Sequence, residues 1–560
     1  MKEASPESDD LLLLSTHLLT SLLSTHLPLI HHFKPKWSLI KSKLLSLQSH
    51  LADFSDSHSH SLSSNSLSLS VLSSLSSALN DAVSLAGKCS DPSSLPAGKL
   101  RTQSDIDSLS STLDGINKDC EILLRSGVLT QDAVVSSSQQ LQGREAVRAE
   151  VRNLLTRLQI GSSVSKNSAM DSLLALLNED DKNVLIGVAQ GIVPVLVRSL
   201  DTTSFEMREK IVAAIARVST IESSKHVLIA EGLSLLNQLI RVIESGSGFA
   251  KEKACVALQA LSFSKENARA IGSRGGISSL LEICHCGTPS SQAMAAGVLR
   301  NLAQFEEIKE NFVEENSIPV LIALSAAGTS LARENSIGCL SNLVCNDETL
   351  KVLVAREGGV ESLKNYWDST PIGRGLEPAV ELLRNLASYH PIGEVLIFQG
   401  FPLRLLPLLN CGVLAVRIAA AGAVFELGFC SKARREMGEN GCVSALVRML
   451  DGKAIEEKEA AAKALSSLLM CTVNRKIFRK EERGIVGTVQ LLDPLTKVLD
   501  KKWPIAVLTT LIHSKKCRKQ MVAAGACVYL QKLVELEIEG AKKLLDCLGR
   551  GKLWGVFARP

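Results

Sequence analysis

Residues 293–325 decide the fold: AMAAGVLRNLA at Ala293–Ala303 is followed by KENFVEE at Lys309–Glu315 and by SIPVLIALS from Ser317. The first segment carries alanine and glycine at helical spacing, which permits close contact between helices, with leucine on the flanking ridge. The other two segments are a short helix and a second apolar helix. Because the same three segments recur along the chain, this stretch predicts one structural repeat of three helices.

The residue that opens the second helix marks the period of the repeat. These landmarks lie 41 to 44 residues apart, at Gly191, Gly232, Gly276, Ser317, Gly359, Gly400, Gly441, Gly484 and Gly525. Glycine there is expected to end the preceding short helix in a left-handed conformation. A unit of this size cannot bury its apolar face alone, so the period predicts an all-α solenoid of stacked repeats.

The pattern resembles the armadillo repeat, whose units follow the approximate consensus G-I-P-x-L-V-x-L-L and then A-A-x-A-L-x-N-L-A. The resemblance covers residues 147–548 as about nine repeats in register. It implies a right-handed helical solenoid with a long groove that binds proteins. HEAT repeats are the nearest alternative, but they usually lack the glycine-led second helix.

Residues 1–128 form a separate region rich in serine and leucine. Helices are predicted over Asp10–Leu27, Lys36–Phe54, Leu67–Lys88 and Ser104–Leu124, which indicates a small bundle. Residues 129–146 are expected to be a linker. The leucine-rich run Leu11–Ile30 is interrupted by Ser, Thr and His and preceded by acidic residues, so we predict a soluble helix rather than a membrane span or signal peptide.

This layout of bundle and repeats resembles plant armadillo proteins related to the U-box ubiquitin ligases. Those ligases carry a U-box, with a C-P-I core followed by D-P-V, between the two parts. Here the junction LTQDAVVSSSQQLQGREAVRAEV from Leu129 contains neither cysteine nor proline and has no space for that domain. P-loop, G-x-S-x-G, H-E-x-x-H and kinase motifs are also missing from the sequence. We therefore expect a relative without the U-box and without enzyme activity.

Importin-α, an armadillo protein, binds peptides with Trp and Asn four residues apart on the third helix, where one face presents both. This chain has Asn at the corresponding position in three consecutive repeats, but the residue four positions earlier is never Trp, which disfavours a nuclear-import carrier. The Asn side chains either contact an extended partner peptide or form hydrogen bonds between helices. The residues expected to line this stretch of the groove are Asn301, Asn342 and Asn385, with Arg300 and Arg384 beside them.

Positive charge is concentrated near the carboxyl end. The whole chain has a net charge of +4, whereas from residue 430 onward 25 Lys and Arg face 14 Asp and Glu. This excess predicts protein partners with acidic or phosphorylated segments, ahead of peripheral membrane contact; nucleic acid comes last because no nucleic-acid motif accompanies the lysines. In the basic and aromatic tail, residues 549–560, Trp554 and Phe557 either cover the open end of the solenoid or contact a partner.

The cysteines predict a reducing compartment, the cytoplasm or the nucleus. Fourteen are scattered, mostly in apolar helical runs and without paired spacing. We predict no metal, cofactor or small-molecule substrate, because Cys284-His285-Cys286 lacks a second pair of ligands nearby.

The sequence therefore predicts a non-catalytic scaffold or adaptor that binds partner proteins through its groove. The alternative is a substrate-recognition or membrane-docked regulatory subunit that works with a ubiquitin ligase or a trafficking complex. Neither a myristoylation signal nor a prenylation box is present, which disfavours a lipid anchor.

Overall fold

A computed structural model describes residues 7–56, 66–90, 98–126, 139–201, 204–496 and 498–549. Within these ranges every regular element is a helix, and no strand occurs. The chain divides into two compact units, Met1–Val242 and Ile243–Pro560. The predicted all-α class is confirmed.

The first unit begins with a helical bundle whose core is built from leucine. Its helices in the described residues are α1 (Glu7–Ser21), α2 (Lys34–Asp56), α3 (Ser66–Ser90) and α4 (Lys99–Arg125). A π-helical turn and a 3-10 turn extend α1 to Leu29. Asp10–Leu29 is long and apolar enough to cross a membrane by length and composition, but Leu19 and Leu22 are fully buried in the bundle core.

The remainder of the first unit starts with two long helices and continues with three-helix repeats. The helices are α5 (Gln139–Ile160), α6 (Ser163–Glu179), α7 (Asp181–Ala189), α8 (Ile192–Ser199), α9 (Phe205–Ser219), α10 (Lys225–Ala230) and α11 (Gly232–Ser245), the last of which ends in the second unit. Helix α5 begins inside the predicted linker, residues 129–146, so residues 139–146 of that segment are helical. The cause is composition, since QGREAVRAEV is made mostly of strong helix formers.

The second unit repeats a short first helix, a second helix and a third helix rich in small residues. Its helices after α11 are α12 (Gly248–Leu261), α13 (Lys265–Gly272), α14 (Gly276–Cys286), α15 (Pro289–Leu302), α16 (Lys309–Glu314), α17 (Ser317–Ala327), α18 (Ser330–Val344), α19 (Glu348–Arg356), α20 (Gly359–Ser369), α21 (Glu377–Ala387), α22 (His390–Phe398), α23 (Leu406–Leu409), α24 (Leu414–Leu427), α25 (Ser431–Glu439), α26 (Cys442–Leu450), α27 (Ile455–Leu468), α28 (Thr472–Phe478), α29 (Gly484–Gln490), α30 (Lys502–Leu511), α31 (Lys515–Ala523), α32 (Ala526–Glu535) and α33 (Ala541–Gly549).

The left-handed residue between first and second helix lies one position earlier than three of the predicted landmarks. Gly275, Asn316 and Gly358 have φ values of 73°, 49° and 98°, whereas the prediction placed this role on the following residue. The second glycine of the Gly275-Gly276 pair provides space instead, because a Cβ on Gly276 would stand 2.6 Å from Ile271 Cγ2. One glycine therefore serves the turn and the next serves the packing.

Gly484 departs from the predicted pattern altogether. It is not among the positive-φ residues, and the residue before it, Arg483, is right-handed with φ −87°. A Cβ at Gly484 would approach Phe478 Cζ to 2.9 Å. Glycine is needed there for the fully buried Phe478 ring rather than for a left-handed turn.

Three successive third helices, α12, α15 and α18, begin with a polar cap and bury small side chains. Ser247, Thr288 and Thr329 each accept a hydrogen bond from the backbone N–H three residues ahead, at 3.2, 3.2 and 3.3 Å. Such caps each stabilise a helix by about 1 kcal/mol. In α15, the run Ala295–Gly297 is fully buried or nearly so, which lets neighbouring third helices approach closely.

Candidate functional site

The third helices of the second unit pack one against the next and form a continuous face. The helices that follow each other along this face are α12, α15, α18, α21, α24, α27, α30 and α33. Side chains that point across this face either join two repeats or remain accessible to a ligand. The five predicted groove residues and a second, unpredicted cluster both lie on it.

The three predicted asparagines join neighbouring third helices. Asn301 Nδ2 donates to the Gln259 carbonyl at 3.2 Å and to Ser262 Oγ at 2.9 Å. Asn342 Nδ2 donates to the Arg300 carbonyl at 2.8 Å, and Asn385 Nδ2 to the Ser341 carbonyl at 3.1 Å. Each amide therefore satisfies a carbonyl near the end of the preceding third helix, where intrahelical donors are missing.

The same contact is made by a different residue type in the first unit. Arg217, at the corresponding position of α9, donates from Nε to the Leu177 carbonyl at 3.0 Å. In these four repeats the position carries a donor that bridges to the preceding third helix, and asparagine supplies it in three of them. Contact of these asparagines with a partner peptide remains a prediction.

The two predicted arginines lie across glycines of the next third helix. The Arg300 side chain covers Gly338, and a Cβ on Gly422 would stand 2.6 Å from Arg384 Cδ. Arg384 also pairs with Glu381 at 2.9 Å. Their aliphatic stems are therefore packing elements, while about a third of each side chain remains exposed.

Glu381 stands in one repeat where neighbouring repeats have glycine. Its opposite residue on the preceding helix is the small Ser341 rather than arginine, so a longer side chain fits. Burial raises the pKa of the Glu381 carboxyl above its usual value, and the charge of Arg384 opposes that rise. The groove therefore contains a carboxylate that is only partly solvated.

A groove of about 1040 Å³ lies on the third helices of the last repeats. We call it the terminal groove. Helices α27, α30 and α33, the turn after α27 and the turn before α33 supply its lining, which includes Met470, Trp503, Ala506, Thr510, Lys542 and Cys547. Met470 is 61% exposed, so its flexible thioether is available for contact.

Trp503 in the terminal groove is held by aromatic and cationic neighbours. Its ring meets Phe425 edge to face, with the centroids 5.4 Å apart. Lys463 Nζ lies 4.4 Å from the Phe425 centroid and 5.4 Å from that of Trp503, and Lys502 Nζ lies 4.6 Å from Trp503. Two lysines already face this ring, so the arrangement favours an apolar or anionic guest over a further cation.

The charges around the terminal groove are of both signs. Lys463 pairs with Glu426 at 3.8 Å and Lys502 with Asp500 at 2.7 Å. Lys542 and Lys543 are exposed and neither forms an ion pair with a described residue, but Glu539 and Asp546 line the groove as well. The groove combines an aromatic anchor, an exposed methionine and unpaired lysines.

Trp503 was not predicted from the sequence as a site residue. The repeat pattern points instead to Thr510, two turns further along the same helix. A tryptophan at the first turn of a third helix, next to Lys502, was the available signal.

The Cys284-His285-Cys286 triplet, at which no metal site was predicted, lies within the described residues, whereas the predicted tail residues do not. Among the described residues, no group of three or more His, Cys, Asp or Glu side chains is placed to hold a metal ion. Cys284 is buried, and burial raises the pKa of its thiol to about 12, whereas Cys286 is exposed. Trp554 and Phe557 lie outside the described residues.

Comparison with known proteins gives two separate resemblances. A family model described as a domain of unknown function (DUF7032) matches residues 13–128. Junction plakoglobin of Rattus norvegicus is 27% identical over 314 residues, which cover 50% of this chain and 41% of plakoglobin. Catenin beta of Tripneustes gratilla is 29% identical over 342 residues, which cover 52% of this chain and 41% of the catenin. The chain thus spans about two fifths of the length of these relatives.

Solved structures show the same fold. A chain from a structure of the phosphorylation switch that controls the interaction between cadherin and beta-catenin matches with a TM-score of 0.60 at 17% identity, covering 85% of this chain and 95% of that one. An engineered protein matches with a TM-score of 0.60 at 23% identity, covering 71% of this chain and 99% of that one. The predicted armadillo-type solenoid is confirmed.

Proposed function

We propose that this protein is a non-catalytic interaction scaffold that binds a segment of a partner protein in the terminal groove. The observation that supports the proposal is Trp503 in an open groove beside the exposed Met470. Tryptophan in a pocket is the side chain most often found to dominate a protein interface. The predicted asparagines, by contrast, already use their amide donors within the solenoid.

The proposed partner segment is extended and acidic or phosphorylated, with one large apolar side chain. Among the charged side chains that line the groove, Lys502, Lys542 and Lys543 outnumber Glu539 and Asp546, and an apolar residue of the segment would pack on Trp503. In the similar beta-catenin structure, a phosphorylation switch controls the interaction with cadherin. That resemblance supports an anionic ligand here without identifying it.

Peptides selected by display on the purified full-length protein test the proposal. Their affinities for the wild-type chain and for Trp503→Ala are compared by calorimetry. Because an interface hot spot contributes about 2 kcal/mol or more, the substitution should weaken binding roughly 30-fold. Phe398→Ala is the matched control, since Phe398 is 90% exposed and lies outside the terminal groove.

Two results would contradict this assignment. Equal affinities of the wild type and Trp503→Ala would exclude the terminal groove as the binding site. If both variants are folded, and Asn301→Ala loses affinity for the peptides while Trp503→Ala keeps it, the binding site lies at Asn301, Asn342 and Asn385 instead.

The finer parts of the proposal rest on the sequence. We place the protein in the cytoplasm or the nucleus, among relatives of the plant U-box and armadillo ligases that lack the U-box, and without enzyme activity or cofactor. A role as a regulatory subunit docked on a membrane is the second candidate. The exposed cations of α25, α28 and α31 favour it.

A further inference from the structure

The first helices of the last three repeats carry a dense group of exposed cations. These helices are α25, α28 and α31, and we call their cationic surface, including the turn after α28, the first-helix face. They are not the third helices that form the terminal groove. The exposed cations of this face are Lys432, Lys476, Arg479, Lys480, Lys515, Lys516 and Lys519.

Hydrogen bonds hold α28 and α31 in equivalent orientations. Arg475 and Arg518 each donate from a guanidinium nitrogen to the carbonyl six residues earlier, at 3.2 and 3.1 Å. Since both arginines are bound in the same way, the next residues, Lys476 and Lys519, emerge from equivalent sides of α28 and α31. Helix α28 is joined to α25 by Asn474 Nδ2, which donates to the Arg434 carbonyl at 2.7 Å.

The seven cations of the first-helix face form no ion pair with a described residue. Few carboxylates lie near these cations, and two of them already bind other side chains. Glu439 pairs with Arg435 at 2.8 Å, and Glu481 accepts a hydrogen bond from Ser444. Glu436 and Glu482 add two negative charges to the neighbourhood, so the surface remains strongly positive.

This surface lacks what a protein partner would need for an anchor. In the described part of the chain, none of the exposed large hydrophobic side chains belongs to α25, α28 or α31. A shallow depression of about 490 Å³ beside α25 is lined mainly by charged side chains, including Glu436 and Glu439. Protein interfaces draw most of their affinity from a few buried apolar or aromatic side chains, whereas an anionic bilayer attracts lysines by charge alone.

We propose that the first-helix face docks the protein on a membrane surface rich in anionic lipids. Lysine and arginine side chains reach the lipid headgroups as long, flexible cations. The interaction is electrostatic and peripheral, and it falls off within a Debye length of the surface. It rests on the second candidate function, a subunit docked on a membrane, and it is independent of the proposed peptide binding, because the terminal groove uses other helices.

Vesicle co-sedimentation of the full-length protein tests the proposal. The vesicles are pure phosphatidylcholine or phosphatidylcholine mixed with phosphatidylserine. We expect binding only to the mixed vesicles, and weaker binding at higher salt. The test variant combines Lys476→Gln, Lys480→Gln, Lys516→Gln and Lys519→Gln; each lost cation should lower the partition coefficient about fivefold, so the four together should lower it several-hundred-fold.

The matched control removes the same amount of charge elsewhere. It combines Lys182→Gln, Arg198→Gln, Arg274→Gln and Arg356→Gln, all at exposed positions outside the first-helix face, and it should bind mixed vesicles nearly as the wild type does. If the partition coefficients of both variants fall equally, the net charge of the protein explains the binding, and the proposal is overturned. A second result would also overturn the proposal: the test variant still binds mixed vesicles but loses affinity for a polyglutamate peptide. The first-helix face would then be a protein-binding surface. Trp503→Ala should leave vesicle binding unchanged.

Discussion

At the scale of single residues, asparagine in the third helix supports the solenoid itself. Asn301 is 7% exposed, and its amide bridges to Gln259 and Ser262 of the preceding repeat. Asn385 makes the corresponding contacts with Ser341 but is more exposed. Loss of a buried donor leaves its acceptors without a partner, which is more costly than loss of an exposed hydrogen bond.

We expect Asn301→Ala to lower the free energy of unfolding by about 1–3 kcal/mol and Asn385→Ala by less. Thermal unfolding followed by circular dichroism measures both. Asn365→Ala is the control, because Asn365 is an exposed residue of α20. If Asn301→Ala melts like this control yet loses affinity for a peptide, the asparagine belongs to the binding site rather than to the stack.

At the scale of elements, an ion pair crosses from one third helix to the next. Arg417 of α24 donates to Glu457 of α27 at 2.6 Å, and the Glu457 side chain is only 7% exposed. Arg417 also donates to the Cys411 carbonyl at 2.7 Å. A buried carboxylate that loses its cation keeps its desolvation cost without compensation.

Arg417→Met should therefore lower the free energy of unfolding by about 3–5 kcal/mol, and the double variant Arg417→Met with Glu457→Met should recover much of this loss. Urea denaturation of the single and double variants measures the coupling. Arg435→Met is the matched control, since its pair with Glu439 is exposed and should contribute at most about 1 kcal/mol. If the double variant is no more stable than Arg417→Met, the pair stabilises the helices through the packing of its two side chains rather than through compensation of the buried charge.

The sequence period predicts the elements better than it predicts contacts between them. Spacing of Gly232, Gly400 and Gly441 locates the turns, because a left-handed residue follows each of these three first helices and glycine adopts that conformation without strain. It does not distinguish a turn glycine from a packing glycine such as Gly484. The roles of Asn301 and Trp503 depend on which side chains of the neighbouring repeat face them. The sequence of a single repeat does not specify these contacts between repeats.

At the scale of the whole molecule, the length of chain between the bundle and the repeat helices bears on enzyme activity. Helix α4 ends at Arg125 and α5 begins at Gln139, so residues 126–138 separate them. Domains shorter than about 40 residues rarely fold without disulfides, metals or oligomerisation. The interval is too short for a catalytic adaptor of the kind that U-box ligases carry at this place.

We therefore expect the purified full-length protein to transfer no ubiquitin when activating enzyme, conjugating enzymes and ATP are supplied. The measurement is the appearance of ubiquitin conjugates on the protein itself, compared with a reaction that lacks it. A U-box ligase in the same mixture serves as the positive control, since it shows that the conjugating enzymes are active. Conjugates above background that persist when residues 126–138 are replaced by a glycine-serine linker would place a ligase surface on the helical units and contradict the scaffold function.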